Sequence, residues 1–296
     1  MLRSCPDLIN INAPDTSSPD CLNFDICARG KNPMVMTSSL NIPEAFQPAS
    51  ALRPEAAALA PVAIPGALIA NAVNVRARRG QTVSLDLEGN ETVFVVRSGT
   101  LMLHVTLPHG LRQVIALLYP GDVFRSAFAP PDAGALLSAV RPGEVLRFRW
   151  NAFAELAATD PEITRFMANA VAKQNARQAI HMAAVGRLDC QQRVVTFLLE
   201  LALRTGTPAP CGGLGFDMPL NRTDMADYLG LNADTLSRTM SRLRSSGLLS
   251  HPERQRAFVR SLHELADLTP AARSLMALHG QALPGQTKAE ASPATA

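Results

Sequence analysis

Residues Asn221–Gly247 read NRTDMADYLGLNADTLSRTMSRLRSSG, and this stretch decides the architecture of the C-terminal half. Asn221 is a helix-capping residue, and Asp224 three positions on suits the positive end of a helix dipole. Met225 and Leu229, four apart, give a short first helix its buried face. The small Ala226 lets a second helix cross closely above it. Gly230 stands where the first helix must stop and turn, a position that calls for positive φ. Leu231 plugs the turn, and Asn232 caps a second helix that buries Leu236, Met240 and Leu243 on one side. The other side presents Asp234, Ser237, Arg238, Ser241 and Arg242. Two short helices, a glycine turn and a polar outer face are what a recognition helix in the major groove requires.

The chemistry of that outer face follows from donor and acceptor geometry. Arg238 can donate two hydrogen bonds to guanine O6 and N7, Asp234 can accept from a cytosine amine, and Ser237 can reach a neighbouring base. Arg222, Ser241, Arg242 and Arg244 are placed for phosphates, which add affinity without sequence information. Beyond Gly247 the run LLSHPERQRAFVRSL reads as strand, turn, strand, the wing of a winged helix, with Arg254 and Arg256 at its tip for further phosphates. Only three of the 28 basic residues are lysines, as a GC-rich coding sequence alone would give. Position is more informative: Arg222, Arg238, Arg242, Arg244, Arg254, Arg256 and Arg260 crowd one short segment against Asp224, Asp227, Asp234 and Glu253.

Upstream, residues 188–205 form a helix with Val194, Phe197, Leu198, Leu201 and Ala202 on one face. It ends at Gly206, before a loop over Thr207–Gly215. Asp160-Pro161 opens an earlier helix with an acidic cap and a proline at the first position. Its apolar stripe is Ile163, Phe166, Met167 and Ala170, resumed by Ile180 and Ala184. A stripe over about 27 residues extends roughly 40 Å and suits pairing with a twin along a coiled-coil-like seam. The alternative is a helix packed only on its own barrel. Gly186 or its neighbours form a natural hinge to the C-terminal domain.

From about 73 to 150 short apolar or alternating runs are broken by Gly and Pro. They are Val73–Ala77, Thr82–Leu85, Thr92–Val96, Thr100–Leu107, Arg112–Leu118, Asp122–Phe124, Leu136–Val140 and Glu144–Phe148. Such spacing indicates an antiparallel roll or barrel. The fold class is therefore α+β: an N-terminal antiparallel β-roll over 61–158, a dimerisation helix over 159–187, and a winged helix-turn-helix over 188–268. Residues 1–60 read as a disordered extension, within which Met34 and Met36 are alternative starts, and 269–296 as a helix remnant and a disordered tail.

The whole chain has 296 residues, is 47% hydrophobic and carries a net charge of +3. No apolar run reaches the ~20 residues that span a bilayer, and the first thirty residues hold four aspartates and no apolar core of a secretion signal. Five scattered cysteines fit a reducing compartment. A cytoplasmic protein is expected.

With those residues placed, the sequence resembles the Crp/Fnr superfamily of transcription regulators over about residues 73–268. Asp224–Arg238 (DMADYLGLNADTLSR) is most similar to the recognition segment of the Fnr and FixK-like branches, written there as glutamate, two residues, Ser-Arg. Ser237 and Arg238 match, and Asp234 stands in place of the glutamate, one methylene shorter. The roll is echoed by Val95-Val96-Arg97-Ser98-Gly99 and by Pro120-Gly121-Asp122-Val123-Phe124. The resemblance implies a homodimer on double-stranded DNA at an inverted repeat similar to TTGAT…ATCAA, with RNA polymerase as a further partner.

The cyclic-nucleotide-binding members carry Gly-Glu after the Gly-Asp turn and an Arg-Ser pair nearby. Here Arg125-Ser126 stands in the first place and no arginine lies near Ala133-Gly134, so a cyclic nucleotide is not expected. No cofactor is predicted. An iron–sulfur cluster needs four placed ligands, and Cys5, Cys21 and Cys27 form no C-x-x-C. Haem would have only His104, His109 and His181 to draw on, and each also reads as a structural or exposed histidine. Cys190 reads as a redox switch near the hinge or as an inert helix residue. Two other functions compete with a DNA reader: an adaptor that keeps the fold without specific DNA binding, and a cupin-like metalloenzyme using His104 and His109. No catalytic residue or metal ligand is assigned.

Overall fold

The computed structural model describes residues 63–85, 90–209, 213–253 and 255–281. The N-terminal extension, Cys5, Cys21, Cys27, Cys211, Arg254 and the tail beyond 281 lie outside the described residues.

A short helix α1 (Gly66–Asn71) leads into β1 (Val73–Ala77), β2 (Thr82–Val83), β3 (Thr92–Val96), β4 (Thr100–Leu107), β5 (Leu111–Leu118), β6 (Val123–Arg125), β7 (Leu136–Arg141) and β8 (Gly143–Arg149). They form two four-stranded sheets, in the orders β1-β8-β3-β6 and β2-β7-β4-β5, antiparallel throughout. This is the roll expected from the strand spacing. Side-chain alternation explains its layers. Phe94 and Val96 point between the sheets with Leu101, Leu103, Leu118, Phe124 and Leu137. Val93 and Val95 point the other way, onto Val123, Leu146 and Phe148. All five residues of β3 are buried. The Ser98-Gly99 turn needs its glycine: φ is +83°, and a Cβ would sit 2.7 Å from the Pro142 carbonyl oxygen.

Helix α2 (Trp150–Thr159) follows β8 directly. It gave no signal in the sequence because Arg149 at its N-cap makes no capping hydrogen bond. Helix α3 (Pro161–Arg187) starts as expected, with the Asp160 carboxylate accepting from the Glu162 N–H at 2.8 Å. It runs through Gly186, and the break falls at Leu188-Asp189. There the Asp189–Gln192 capping box starts α4 (Cys190–Thr205).

Within the single chain, the stripe on α3 expected at a twin helix packs largely on the chain's own roll, the alternative that the sequence left open. Ile163, Phe166 and Ala170 are buried against Val93, Val95 and Phe148 of their own roll, with Met167 packed beside them. Ile180 leans on the C-terminal core and Ala184 is buried. An amphipathic stripe marks whichever surface is covered, and here the sheet covers it. Among the exposed positions of α3, Ala168, Ala172, Asn175, Ala179, Met182 and Gly186 fall on one line, spaced by four and three in alternation.

The remaining elements are β9 (Thr207–Pro208), β10 (Leu214–Asp217), α5 (Arg222–Leu229), α6 (Ala233–Ser245), β11 (Leu249–Glu253), β12 (Arg256–Val259), α7 (Leu262–Asp267) and α8 (Ala272–Leu278). The segment read as a loop after Gly206 contains two strands. They join the wing in a sheet ordered β11-β12-β10-β9. The C-terminal core does not stand alone. Met102, Val114 and Val140, from β4, β5 and β7, share a hydrophobic cluster with Phe197, Tyr228 and Leu236.

Candidate nucleic-acid interface

The helix-turn-helix is built as its residues dictate. The Asn221 side chain accepts from the Asp224 N–H at 2.9 Å and caps α5. The Asn232 side chain accepts from the Thr235 N–H at 2.7 Å and caps α6. Gly230 between them is left-handed at φ 61°, ψ 41°. Met225, Ala226 and Leu229 from α5 and Leu236, Met240 and Leu243 from α6 are all buried. Thr239 joins them because its hydroxyl is satisfied by the Thr235 carbonyl at 2.9 Å.

On the opposite face Asp234, Arg238, Ser241, Arg242 and Arg244 are exposed, and Ser237 is half-buried. Asp234, Arg238 and Arg242 are four apart and share one line along α6. Arg238 and Arg242 make no ion pair among the described residues, which leaves their guanidinium donors free for an incoming acceptor. Arg222 donates to the Ser237 hydroxyl at 2.9 Å, which fixes the first helix to the outer face of the second. Arg244 donates to the Ser241 hydroxyl at 2.9 Å. Arg256, on the wing strand, is exposed and reaches the Thr207 hydroxyl at 3.4 Å, across the sheet from the wing turn.

Sequence reasoning missed how the roll holds the helix-turn-helix. Arg112 on β5 meets Asp224 at 2.9 Å and also Asp227 on α5. Gln113 donates to the carbonyls of Asp227 and Tyr228. Arg141 on β7 pairs with Asp217 on β10 at 3.0 Å. The one available signal was alternation: Arg112 and Val114 fall on the same face of β5, away from the roll interior.

The histidines have distinct placements. His104 is buried on β4, its Nδ1 has no hydrogen-bond partner among the described residues, and burial, then Arg112, lowers its pKa. His109 sits left-handed, at φ 66°, in the turn Pro108–Gly110. His181 stacks on Tyr228 with centroids 3.9 Å apart, and burial lowers its pKa to about 4. Cys190 is exposed at the start of α4. Among the described residues no three metal-ligating side chains gather, and no helix is long and apolar enough to cross a membrane.

Between the roll and α3 lies a pocket of about 330 Å³, lined by Leu103, Ile115, Phe124, Phe128, Gln174 and Gln178 among others. Its described lining is apolar and amide and offers no cation to a cyclic phosphate. Arg125, at the position noted in the sequence, is turned to Glu91 and lies 3.6 Å over the Trp150 ring. These residues do not fit a cyclic nucleotide.

Residues 192–268 match the Crp-like helix-turn-helix domain, and residues 74–160 match the cyclic nucleotide-binding domain. The nitrogen fixation regulation protein FixK of Azorhizobium caulinodans is 31% identical over 184 residues, 60% of this chain and 71% of that protein. The transcriptional activator protein FnrL of Cereibacter sphaeroides is 27% identical, over 64% of this chain and 78% of that protein. Among solved structures, FixK2 from Bradyrhizobium japonicum superposes with a TM-score of 0.58 at 27% identity, covering 67% of this chain and 97% of that one.

Proposed function

The chain belongs to the Crp/Fnr superfamily of transcription regulators, and on that premise we propose that it binds an inverted-repeat operator as a homodimer and reads it with α6. The observation that carries this reading is the exposed line Asp234–Arg238–Arg242, presented by a helix whose inner side is locked to α5. Arg238 makes the paired contact to guanine, with Asp234 and Ser237 completing base readout. Arg222, Ser241, Arg242, Arg244, Arg254 and Arg256 supply phosphate contacts. The relatives are named as regulators and activators, which supports a non-enzymatic role and contact with RNA polymerase.

The homodimer forms along Ala168, Ala172, Asn175, Ala179 and Met182. Alternate spacings of four and three keep these side chains on one seam of a left-handed helix pair. The small alanines allow close approach, and Met182 is 63% exposed in the single chain. Two-fold pairing then sets the two reading heads about one DNA turn, ~34 Å, apart.

Gel-shift or anisotropy binding to a TTGAT…ATCAA duplex, against a scrambled duplex at fixed salt, tests the reading. Selective binding by a dimer is expected. Equal, salt-sensitive binding to both duplexes would sink the assigned code.

A further inference from the structure

We propose that a second, charged cavity at the junction of the roll, α3 and the C-terminal domain binds a small organic anion bearing phosphate or carboxylate. The cavity has a volume of about 540 Å³, within the range of sites for small molecules. Its walls come from the Tyr119–Asp122 turn of the roll, the middle of α3, and the ends of α4 and α8. It shares no lining residue with the uncharged pocket between the roll and α3.

The charges around it do not balance. Lys173 and Arg177 from α3 and Arg204 from α4 face two carboxylates, Asp122 and Glu200. Asp122 is engaged through Oδ2, which accepts from the Tyr119 N–H at 2.9 Å and from Arg204 at 3.3 Å and lies 2.7 Å from Arg177. Glu200 reaches Arg204 only at 4.0 Å. Arg204 is fixed by stacking 4.0 Å over the Tyr119 ring, yet its buried Nη1 has no hydrogen-bond partner among the described residues. The buried Nε2 of His279, also in the lining, has no partner among the described residues. Lys173 makes no ion pair among the described residues.

Keeping surplus positive charge and unmatched donors out of water is costly. An anion with several oxygens removes that cost by accepting from Lys173, Arg177 and Arg204 together, through charge-assisted bonds. The lowered pKa of Lys173, caused mainly by burial and opposed by Asp122, agrees with a site short of negative charge. The exposed seam of α3 lies on the opposite side of the helix from Lys173 and Arg177, so dimer pairing leaves the cavity uncovered. Because its walls belong to the sensor roll, the dimer helix and the DNA-reading domain, occupancy would fix the angle of the reading head. That regulatory consequence rests on the function proposed above; the binding does not.

Titration calorimetry on the full chain, at constant ionic strength, tests this with pyrophosphate and with citrate as separate probes. One site per chain is expected for at least one of them; pyrophosphate alone identifies a phosphate ligand and citrate alone a carboxylate. Lys173→Gln leaves the Asp122 contacts with Arg177 and Arg204 in place and should fold. It should weaken binding by about tenfold or more, as should Arg177→Gln. Unchanged binding in K173Q, no binding of either anion, or loss in Arg242→Gln instead, which would put the anion on the DNA-reading face, overturns the proposal. Operator affinity without anion, measured separately, reports on the proposed function alone.

Discussion

Arg112 of the roll and Asp224 of the helix-turn-helix meet at 2.9 Å, and the same guanidinium nitrogen also contacts Asp227. One cation thus bridges both acids on α5 and offsets half of the negative charge that they place on the first helix of the helix-turn-helix. Side-chain exposure of 28% for Arg112 and 24% for Asp227 limits the strength of the pair. A double-mutant cycle with Arg112→Ala and Asp227→Ala should give a coupling energy of about 0.5–1 kcal/mol in urea unfolding. A coupling of zero would mean that the two domains do not dock through this pair.

Arg238→Ala should cost about 1–3 kcal/mol of operator affinity per half-site and relax selectivity at one base pair. Arg242→Gln should instead weaken operator and scrambled duplex alike and reduce the salt slope by about one per subunit. Anisotropy titrations at several salt concentrations separate the two. If R238A loses affinity equally on both duplexes, Arg238 is a phosphate contact and the code lies elsewhere.

The helix-turn-helix was legible because local rules act there in concert: Asn221 and Asn232 cap, Gly230 turns, and Leu236, Met240 and Leu243 repeat at helical spacing. The roll was legible from its glycine and proline punctuation. The packing of α3 was not, because Ile163 and Phe166 form a helical stripe whether a twin helix or the chain's own sheet covers them. The Arg112 latch and the Asp122 cavity were hidden for a related reason. The first joins Arg112 to Asp227, 115 positions on, and the second joins Asp122 to Arg204, 82 positions on, through tertiary contacts that no local periodicity encodes.

Gly230→Ala should destabilise the C-terminal domain. Its left-handed backbone disfavours any Cβ by roughly 1 kcal/mol, and the new methyl would sit 3.3 Å from Val185 Cγ1. Thermal unfolding should show a lowered Tm; an unchanged Tm would show that the turn relaxes without penalty.

His181 links stability to pH through its stack on Tyr228. Its pKa is about 4 in the folded chain against an ordinary value of 6.5, because burial disfavours the imidazolium. The unfolded state therefore takes up the proton first, and stability falls as pH drops from 6.5 towards 4, by at most about 3 kcal/mol. His279, also lowered to about 4 by burial and nearby cations, adds to the same window. His181→Phe keeps a ring against Tyr228 and should flatten part of the decline in urea midpoints. If the pH profile is unaltered, His181 is not the linked group.

The two faces of α3 make opposite predictions and so test the seam directly. Ala179 is exposed on the outer line, whereas Phe166 is 3% exposed within the core beneath the roll. A carboxylate in the centre of a close helix pair is desolvated and meets its own symmetry mate, so Ala179→Glu should split the dimer. The protomer itself should keep its Tm, since none of the described residues covers that position. Phe166→Ala should do the reverse: a core cavity costs about 3–5 kcal/mol and lowers Tm. Sedimentation velocity read beside thermal unfolding distinguishes them. A dimer that survives A179E but dissociates in a folded F166A would restore the inner stripe as the interface.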